Sequence, residues 1–339
     1  MKNTKTKTKS KAANEVNTRI FVESGFGRVI NELKKSNVFL VVDHNVYKCY
    51  SNELNFDIPK FVMKAGESNK TLQTVGDIIT AMLEHKCNRK TRLIALGGGV
   101  VGDTAGFAAA SFMRGTEWVS IPTTLLSQVD SGVGGKTGVN IGNRKNMAGA
   151  FWAPKKVIVS CDFLGTLPER EWLSGIGEVV KTAILDPAVW ELVYKNRLLL
   201  DRHDPRLYER IVKACIDFKD KITKRDFREG GLRMILNLGH TVGHALESVD
   251  GYRLSHGEYV AWGILHELRI NEELIEPSFL PQARELVGSV LCGRSDPYSK
   301  YDKLVVAKYM RSDKKNTGSK VTFVVPTDLG LTEVVEKNI

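Results

Sequence analysis

Between residues 19 and 167 the chain alternates short apolar runs with helix-patterned segments, and few architectures accommodate that alternation. Arg19-Ile20-Phe21-Val22, Val38-Phe39-Leu40-Val41-Val42, Lys60-Phe61-Val62-Met63 and Leu93-Ile94-Ala95-Leu96 have the length and composition of strands. Trp118-Val119-Ser120-Ile121 adds another, running into Pro122, Thr123 and Thr124. The clearest helix between them extends from about Lys70 to Glu84, with apolar residues spaced at about 3.6. Strands alternating with helices predict an α/β unit built on a mainly parallel sheet, covered on both faces. Ligands of such sheets bind at the carboxyl ends of the strands.

Those ends carry chemistry. Val41-Val42-Asp43 finishes in a carboxylate able to accept hydrogen bonds from a ribose. Leu96 runs into Gly97-Gly98-Gly99-Val100-Val101-Gly102-Asp103. Three glycines let the backbone pass close to a pyrophosphate, and the following helix start points amides at it. The spacing is not Gly-x-Gly-x-x-Gly, so this is no ordinary dinucleotide fingerprint; its place between strand and helix favours a nucleotide site. Further on, Gly134-Gly135-Lys136-Thr137 looks like the end of a P-loop, but Val129 stands where that motif needs its first glycine. What remains is a flexible, glycine-rich segment presenting Lys136, Lys145 and Asn146 to an anionic, oxygen-rich ligand.

Beyond Thr166-Leu167-Pro168-Glu169-Arg170-Glu171 the strand signals fade and long helical patterns dominate, which puts a domain boundary there. Glu178 and Lys181 lie three apart in a mostly apolar helix, where a charged pair is better explained by a site than by solvent. In Asn237-Leu238-Gly239-His240-Thr241-Val242-Gly243-His244-Ala245-Leu246-Glu247, His240 and His244 share one helix face. Such a pair can bind one divalent metal, or divide the work between ligand and acid/base. Glu178 and His256, in Leu254-Ser255-His256-Gly257-Glu258, are further candidate partners. Arg233 offers a planar fork for a carboxylate or phosphate. Lys320-Val321-Thr322-Phe323-Val324-Val325 reads as part of a closing hairpin, and His44, His85, His203 and His266 read as structural or surface residues.

At 339 residues, two domains are expected. No apolar run approaches the roughly 20 residues that span a bilayer, and the N-terminus lacks the apolar stretch of a secretory signal. Five scattered cysteines read as reduced thiols in a cytoplasmic protein. The net charge of +10 owes half its excess to Lys2, Lys5, Lys7, Lys9 and Lys11, in a polar segment (residues 1–14) expected to be a disordered tail. The remaining charge of about +5 suits anionic small molecules better than nucleic acid.

The order of these motifs resembles the 3-dehydroquinate synthase family, within the sugar phosphate cyclases. The similarity runs from about Phe39 to Gly330. It is densest at Gly97 to Asp103, Pro122 to Asn146, Thr166 to Lys181, Glu229 to Glu247 and Ser255 to Gly257. The resemblance implies a Rossmann-like NAD-binding domain over 15–167 and a mainly α-helical metal- and substrate-binding domain over 168–339. It implies Glu178, His240 and His256 as ligands of one divalent metal, zinc or cobalt, and His244 as a substrate-side histidine near the leaving phosphate. Asp43, Asn45, Glu67, Lys70, Gly97, Gly98, Gly99, Val100, Asp103, Thr123, Thr124, Lys136, Lys145, Phe163, Thr166 and Leu167 match cofactor contacts. Asp130, Lys136, Asn146, Lys181, Lys219, Arg233, Asn237 and Lys314 (or its neighbour Lys315) match substrate contacts. Arg114 matches a residue that reaches the neighbouring subunit's site in a homodimer.

The family's reaction converts 3-deoxy-D-arabino-heptulosonate 7-phosphate to 3-dehydroquinate and phosphate, with NAD regenerated in each turnover. The residues suit that chemistry independently: Lys136, Asn146 and His244 offer donors for a phosphate, and Arg233 with Lys219 offers cationic contacts for a carboxylate. Retention of the Arg233 arm favours a carboxylated substrate. Departures from the family pattern are Gly132 for a serine, Arg144 for a glycine, Leu238 for an aromatic residue and Thr182 for a tyrosine. They leave open an amino-substituted analogue as substrate; an NAD-dependent polyol dehydrogenase is the more distant alternative. Neither membrane nor nucleic acid is expected as a partner.

Overall fold

A computed structural model describes residues 17–53, 57–142, 144–311 and 320–339. The tail expected over 1–14, together with Lys314 and Lys315, lies outside the described residues. The chain begins β1 (Arg19–Glu23), α1 (Gly27–Leu33), β2 (Val38–Asp43), α2 (His44–Cys49), β3 (Lys60–Met63) and α3 (Leu72–Glu84). It continues β4 (Arg92–Gly97), α4 (Gly99–Ser111), β5 (Trp118–Pro122), β6 (Lys136–Ile141), β7 (Arg144–Phe151) and β8 (Lys156–Ser160). Helices follow: α5 (Glu169–Leu185), α6 (Pro187–Lys195), α7 (Pro205–Arg225), α8 (His240–Val249), α9 (His256–Ile270), α10 (Leu280–Val290) and α11 (Lys303–Arg311). The hairpin β9 (Lys320–Asp328) and β10 (Leu331–Asn338) closes the order. Among the described residues, no helix is long and apolar enough to cross a membrane.

Six strands form one sheet in the order β1-β8-β5-β4-β2-β3, and every pairing is parallel. Side chains alternate between its two faces. Phe39, Val41, Leu93 and Ala95 pack with Ile78 and Met82 of α3 and with Ala105 and Ala108 of α4. Leu40, Val42, Ile94, Leu96, Val119 and Ile121 pack with Val29 and Leu33 of α1 and with Phe163. Because both faces are covered, β2 and β4 read as continuous apolar runs and β5 as a buried run broken only by Ser120, rather than as alternating ones.

At the amino-end rim of this sheet Glu32 is buried and gathers three cations. Lys156 Nζ stands 2.7 Å from its carboxylate, Lys35 Nζ 2.5 Å and Arg92 Nη1 3.3 Å. Lys156 opens β8 and Arg92 opens β4, so one carboxylate ties two strand starts to α1.

The segment from 136 to 151, expected to be flexible, is an antiparallel hairpin, β6 with β7. Gly138 and Gly149 serve close packing rather than freedom. Gly138 faces Gly149 across the ladder, and a Cβ on Gly149 would stand 2.1 Å from the carbonyl oxygen of Thr137. The hairpin lies on α4, where a Cβ on Gly106 would meet Thr137 Cγ2 at 2.5 Å.

The helical part shares one core with the end of the sheet. Val157 and Val159 of β8, with Leu125 and Val129, join the cluster formed by α5, α7, α8, α9 and β9. α7 starts on Asp204, whose carboxylate accepts the Leu207 amide at 2.8 Å, with Pro205 at the first helical position. The buried strand β9 holds α8 through Thr241, whose hydroxyl donates to the Thr322 carbonyl at 2.9 Å.

Candidate active site

Two helix crossings assemble the histidines. α5 meets α9 where Gly177 faces Gly257, and a Cβ on Gly177 would lie 2.2 Å from the Gly257 carbonyl oxygen. The next residue on α5 is Glu178, and the preceding residue is His256 at the start of α9. α8 meets α9 in the same way: a Cβ on Gly263 would stand 1.9 Å from the Gly239 carbonyl oxygen. Gly239 has φ +76, which favours glycine, and its turn delivers His240 as the first residue of α8. A capping box surrounds His256, with Ser255 Oγ and the Ser255 amide both donating to Glu258 Oε2 at 2.7 and 2.8 Å.

The result is a cluster of Glu178, His240 and His256, with one ligand atom from each lying within 4.8 Å of the others. Glu178 Oε1 stands 3.5 Å from His240 Nε2 and 3.3 Å from His256 Nε2. His240 Nδ1 sits 3.0 Å from the Leu238 carbonyl oxygen. A carbonyl only accepts, so Nδ1 carries the proton and Nε2 presents its lone pair to the cluster. Burial further holds the His240 imidazole well below its usual pKa. Glu178 is 1% exposed, and neither of its oxygens meets a well-aligned hydrogen bond among the described residues. Burial would raise its pKa, but Lys181 first, then His256 and His240, hold the carboxyl well below the usual range. A buried, ionised carboxylate facing two imidazole nitrogens suits a divalent cation such as zinc. These residues fit a metal.

His244 lies one turn along α8 on the open side, its ring 5.0 Å from that of His240 and 6.0 Å from that of His256. Behind Glu178 charges alternate in a buried row. Lys181 pairs with Glu178 and stands 3.7 Å from Asp130 Oδ1, which Lys219 Nζ approaches to 2.6 Å. Burial pushes Lys219 down to about 8 despite Asp130. Lys181 moves the other way, since Glu178 and Asp130 outweigh its burial and raise it. Arg233, 3% exposed, donates from Nη1 to the carbonyls of Gly134 and Phe227 at 3.0 and 2.9 Å. Asn237 ends the short helical turn that carries Arg233.

The cleft at the strand ends is lined by Gly98, Gly102, Asp103, Ser120, Ser131 and Lys136. A Cβ on Gly98 would come 3.0 Å from Thr124, and one on Gly99 would come 2.8 Å from Ser131 Oγ, so glycine keeps the cradle open. Thr123 Oγ1 and Ser131 Oγ are buried with no hydrogen-bond partner among the described residues. Asp43 ends β2 and caps α2 through the amides of Asn45 and Val46 at 2.8 and 3.3 Å. Lys70 Nζ donates to Asp103 Oδ2 and to Asn146 Oδ1, both at 2.6 Å, and Glu67 accepts from Asn140 at 2.8 Å. The Thr166 hydroxyl lies 3.1 Å from that of Tyr50. Phe163 is buried against Phe26 and Tyr50, while Leu167 and Val100 are half-buried. An open glycine cradle, a helix start and unsatisfied hydroxyls fit the pyrophosphate of a dinucleotide.

Two expected anion-binding lysines are held by acids that the sequence reading assigned no role. Lys136 Nζ stands 2.6 Å from Glu229, and Lys145 Nζ stands 2.9 Å from Glu247 Oε1 and 4.2 Å from the centre of the Tyr252 ring. Glu247 also faces His256 Nδ1 at 3.9 Å. Burial would raise its carboxyl, but His256 and Lys145 hold it at about 2. Its position seven residues after His240 and three after His244 puts it on their helix face, a spacing visible in the sequence. Arg114 is exposed, in a turn where Met113, Arg114 and Gly115 all have positive φ.

The geometry has counterparts among known proteins. The family model for the 3-dehydroquinate synthase N-terminal domain matches residues 60–174, and that for the C-terminal domain matches residues 175–316. A 3-dehydroquinate synthase of Alkaliphilus metalliredigens is 38% identical over 302 residues, covering 86% of this chain and 84% of that protein. One from Acetivibrio thermocellus is 41% identical over 314 residues, covering 89% and 87%. In fold, the chain is similar to a 2-deoxy-scyllo-inosose synthase complexed with carbaglucose-6-phosphate, NAD+ and Co2+. The TM-score is 0.83 at 22% identity, over 94% of this chain and 93% of that one. A 2-epi-5-epi-valiolone synthase from Streptomyces hygroscopicus with NAD+ and Zn2+ bound gives a TM-score of 0.80 at 22% identity, over 98% and 95%. With both halves matched in order and about two residues in five shared along most of its length, the chain belongs to the 3-dehydroquinate synthase family.

Proposed function

We propose that this chain converts 3-deoxy-D-arabino-heptulosonate 7-phosphate to 3-dehydroquinate and inorganic phosphate, as a cytoplasmic enzyme of aromatic amino acid biosynthesis. The observation that carries the reading is the buried Glu178 carboxylate, facing His240 and His256 inside a chain matched from residue 60 to residue 316 by the two models of its family. When bound, NAD supplies a reversible hydride acceptor, and a divalent metal on Glu178, His240 and His256 supplies a Lewis acid.

The remaining work falls to the chain's own groups. Arg233 and Lys219 bind the substrate carboxylate. Carbonyls pin the guanidinium and Asp130 pins the ammonium, so both cations are oriented before substrate arrives. Their burial strengthens each contact by excluding water. Lys181 and Asp130, with Asn237, hold ring hydroxyls next to the metal cluster. Lys136, Asn146 and His244 receive the phosphate, which exchanges with Glu229 for the ammonium of Lys136. His244, on the open side, passes a proton at the departing phosphate. Asp43, Asn45, Glu67, Lys70, the Gly97–Gly99 turn, Asp103, Thr123, Thr124 and Lys145 line the NAD side. The working unit is a homodimer, with exposed Arg114 extending to the neighbouring subunit's site.

Incubating the protein with the heptulosonate phosphate, NAD and zinc should release phosphate and form dehydroquinate without net NADH. Absence of phosphate release under those conditions overturns the assignment. Preference for an amino-substituted substrate in a parallel assay would redirect it within the family.

A further inference from the structure

Glu247 stands at a junction that the proposed chemistry does not use. It lies on α8 in line with His240 and His244, is 7% exposed, and turns one oxygen to two partners. Oε1 is 3.9 Å from His256 Nδ1 and 2.9 Å from Lys145 Nζ on β7. His256 presents its other nitrogen, Nε2, to Glu178. An imidazole whose Nδ1–H is turned toward a carboxylate keeps its Nδ1 proton and leaves the Nε2 lone pair aimed at a metal, and its basicity rises. For His240 the Leu238 carbonyl does this at 3.0 Å.

We infer that Glu247 is the positioning residue for the metal ligand His256, fixing its tautomer and ring orientation, and that it anchors the β6–β7 hairpin to the metal cluster through Lys145. The inference rests on the metal reading given above and extends it to a residue that touches neither metal nor substrate.

A second use of the same atoms is a second metal site, since donor atoms of His244, Glu247 and His256 also lie within 4.8 Å of one another. The Lys145 ammonium 2.9 Å from Glu247 argues against it, because it holds a positive charge where the second cation would sit. His256 Nδ1 would also have to lose its proton. The carboxylate already accepts from the Lys145 ammonium at 2.9 Å and faces His256 Nδ1 at the ion-pair separation of 3.9 Å, so its charge is turned to holding these two groups.

The test is zinc affinity, measured by chelator competition on the purified full-length chain, alongside thermal unfolding of the metal-free protein. Wild type should bind one zinc per chain. Glu247→Ala should weaken binding by about 10- to 100-fold, the range for loss of a partner to a metal-bound histidine. Glu247→Gln keeps an acceptor of the same shape and should recover part of that loss, while metal-free unfolding stays near wild type. Should Glu247→Ala not fold, Glu247→Gln carries the test through its smaller drop in affinity. Zinc affinity unchanged in both variants overturns the inference, as does a wild-type stoichiometry of two that falls to one in Glu247→Ala. If wild type binds no zinc, the metal reading itself fails, an outcome distinct from either.

Discussion

Gly177 and Gly257 meet backbone to backbone where α5 crosses α9, at a separation with no space for a methyl group. A Cβ on Gly177 would lie 2.2 Å from the Gly257 carbonyl oxygen, and one on Gly257 would lie 2.3 Å from that of Ser174. Glu178 and His256 are their chain neighbours, so this contact sets the spacing of two proposed metal ligands. Gly257→Ala should force the helices apart and lower stability by about 1–3 kcal/mol, the usual cost of overpacking. Zinc affinity should fall with it, as measured by urea unfolding and metal titration. Wild-type affinity in a destabilised variant would show that the crossing does not set the cluster.

His240 and His244 differ in what surrounds them although they share a helix face. His240 is locked by the Leu238 carbonyl with Nε2 toward Glu178, whereas His244 lies on the open side. His240→Ala should reduce zinc affinity by at least about 100-fold, beyond the range for losing an outer partner. His244→Ala should bind zinc as wild type and lose about 10²- to 10⁴-fold in turnover, the usual contribution of a positioned proton donor. Metal analysis and steady-state phosphate release on the two variants would check the division; zinc lost from His244→Ala would contradict it.

Lys219 should write a pH limb into the reaction. Burial brings its ammonium down to about 8, so the proposed cationic contact for the carboxylate is present below that pH and fades above it. kcat/KM should therefore fall as pH rises through about 8, and Lys219→Met should lose both that limb and about 10- to 100-fold of kcat/KM, the worth of one charged hydrogen bond. Stability runs the opposite way. An unfolded lysine titrates near about 10.4, so between about 8 and that value the unfolded chain binds the extra proton, and this group's burden on the fold lightens as pH rises. A flat profile from pH 7 to 9 would remove Lys219 from the substrate site.

Arg233 is gripped by the carbonyls of Gly134 and Phe227, with Gly134 at φ +109 passing so close that a Cβ there would sit 2.6 Å from Nη2. Lysine keeps the charge but not the fork. Arg233→Lys should raise KM for the heptulosonate phosphate about 10-fold or more, from one or two lost hydrogen bonds at about 1 kcal/mol each. The KM for NAD should hold. Equal changes in both constants would point to misfolding instead.

Much of this architecture was legible because buried parallel strands are written as apolar runs. β2, β3, β4 and β5 were all readable in that way, and so were Asp43 and the Gly97–Gly99 turn at the carboxyl ends. The hairpin of β6 and β7 was not. Gly134, Gly135, Gly138, Gly142 and Gly149 look like flexibility in one dimension, whereas in three Gly138 and Gly149 permit a close strand pair and Gly134 and Gly135 pass close to Arg233 and Phe227. The grouping of Glu178, His240 and His256 was legible only in pieces. His240 and His244 announce themselves by helical spacing, but the approach of Glu178 and His256 depends on glycine crossings between helices distant in sequence. Glu229 and Glu247 were missed because a carboxylate's partner is set by tertiary contact, although Glu247 lies in plain helical register with the histidines.

Glu32 draws Lys35, Lys156 and Arg92 together at the rim of the sheet opposite the chemistry. The molecule therefore keeps its fastening and its selectivity at opposite ends of the same strands. Changes around Glu32 should tune how long the enzyme survives heat while leaving its product spectrum alone. Anyone seeking a new substrate would work at the carboxyl-end rim and leave that knot intact as the margin that tolerates costly substitutions elsewhere.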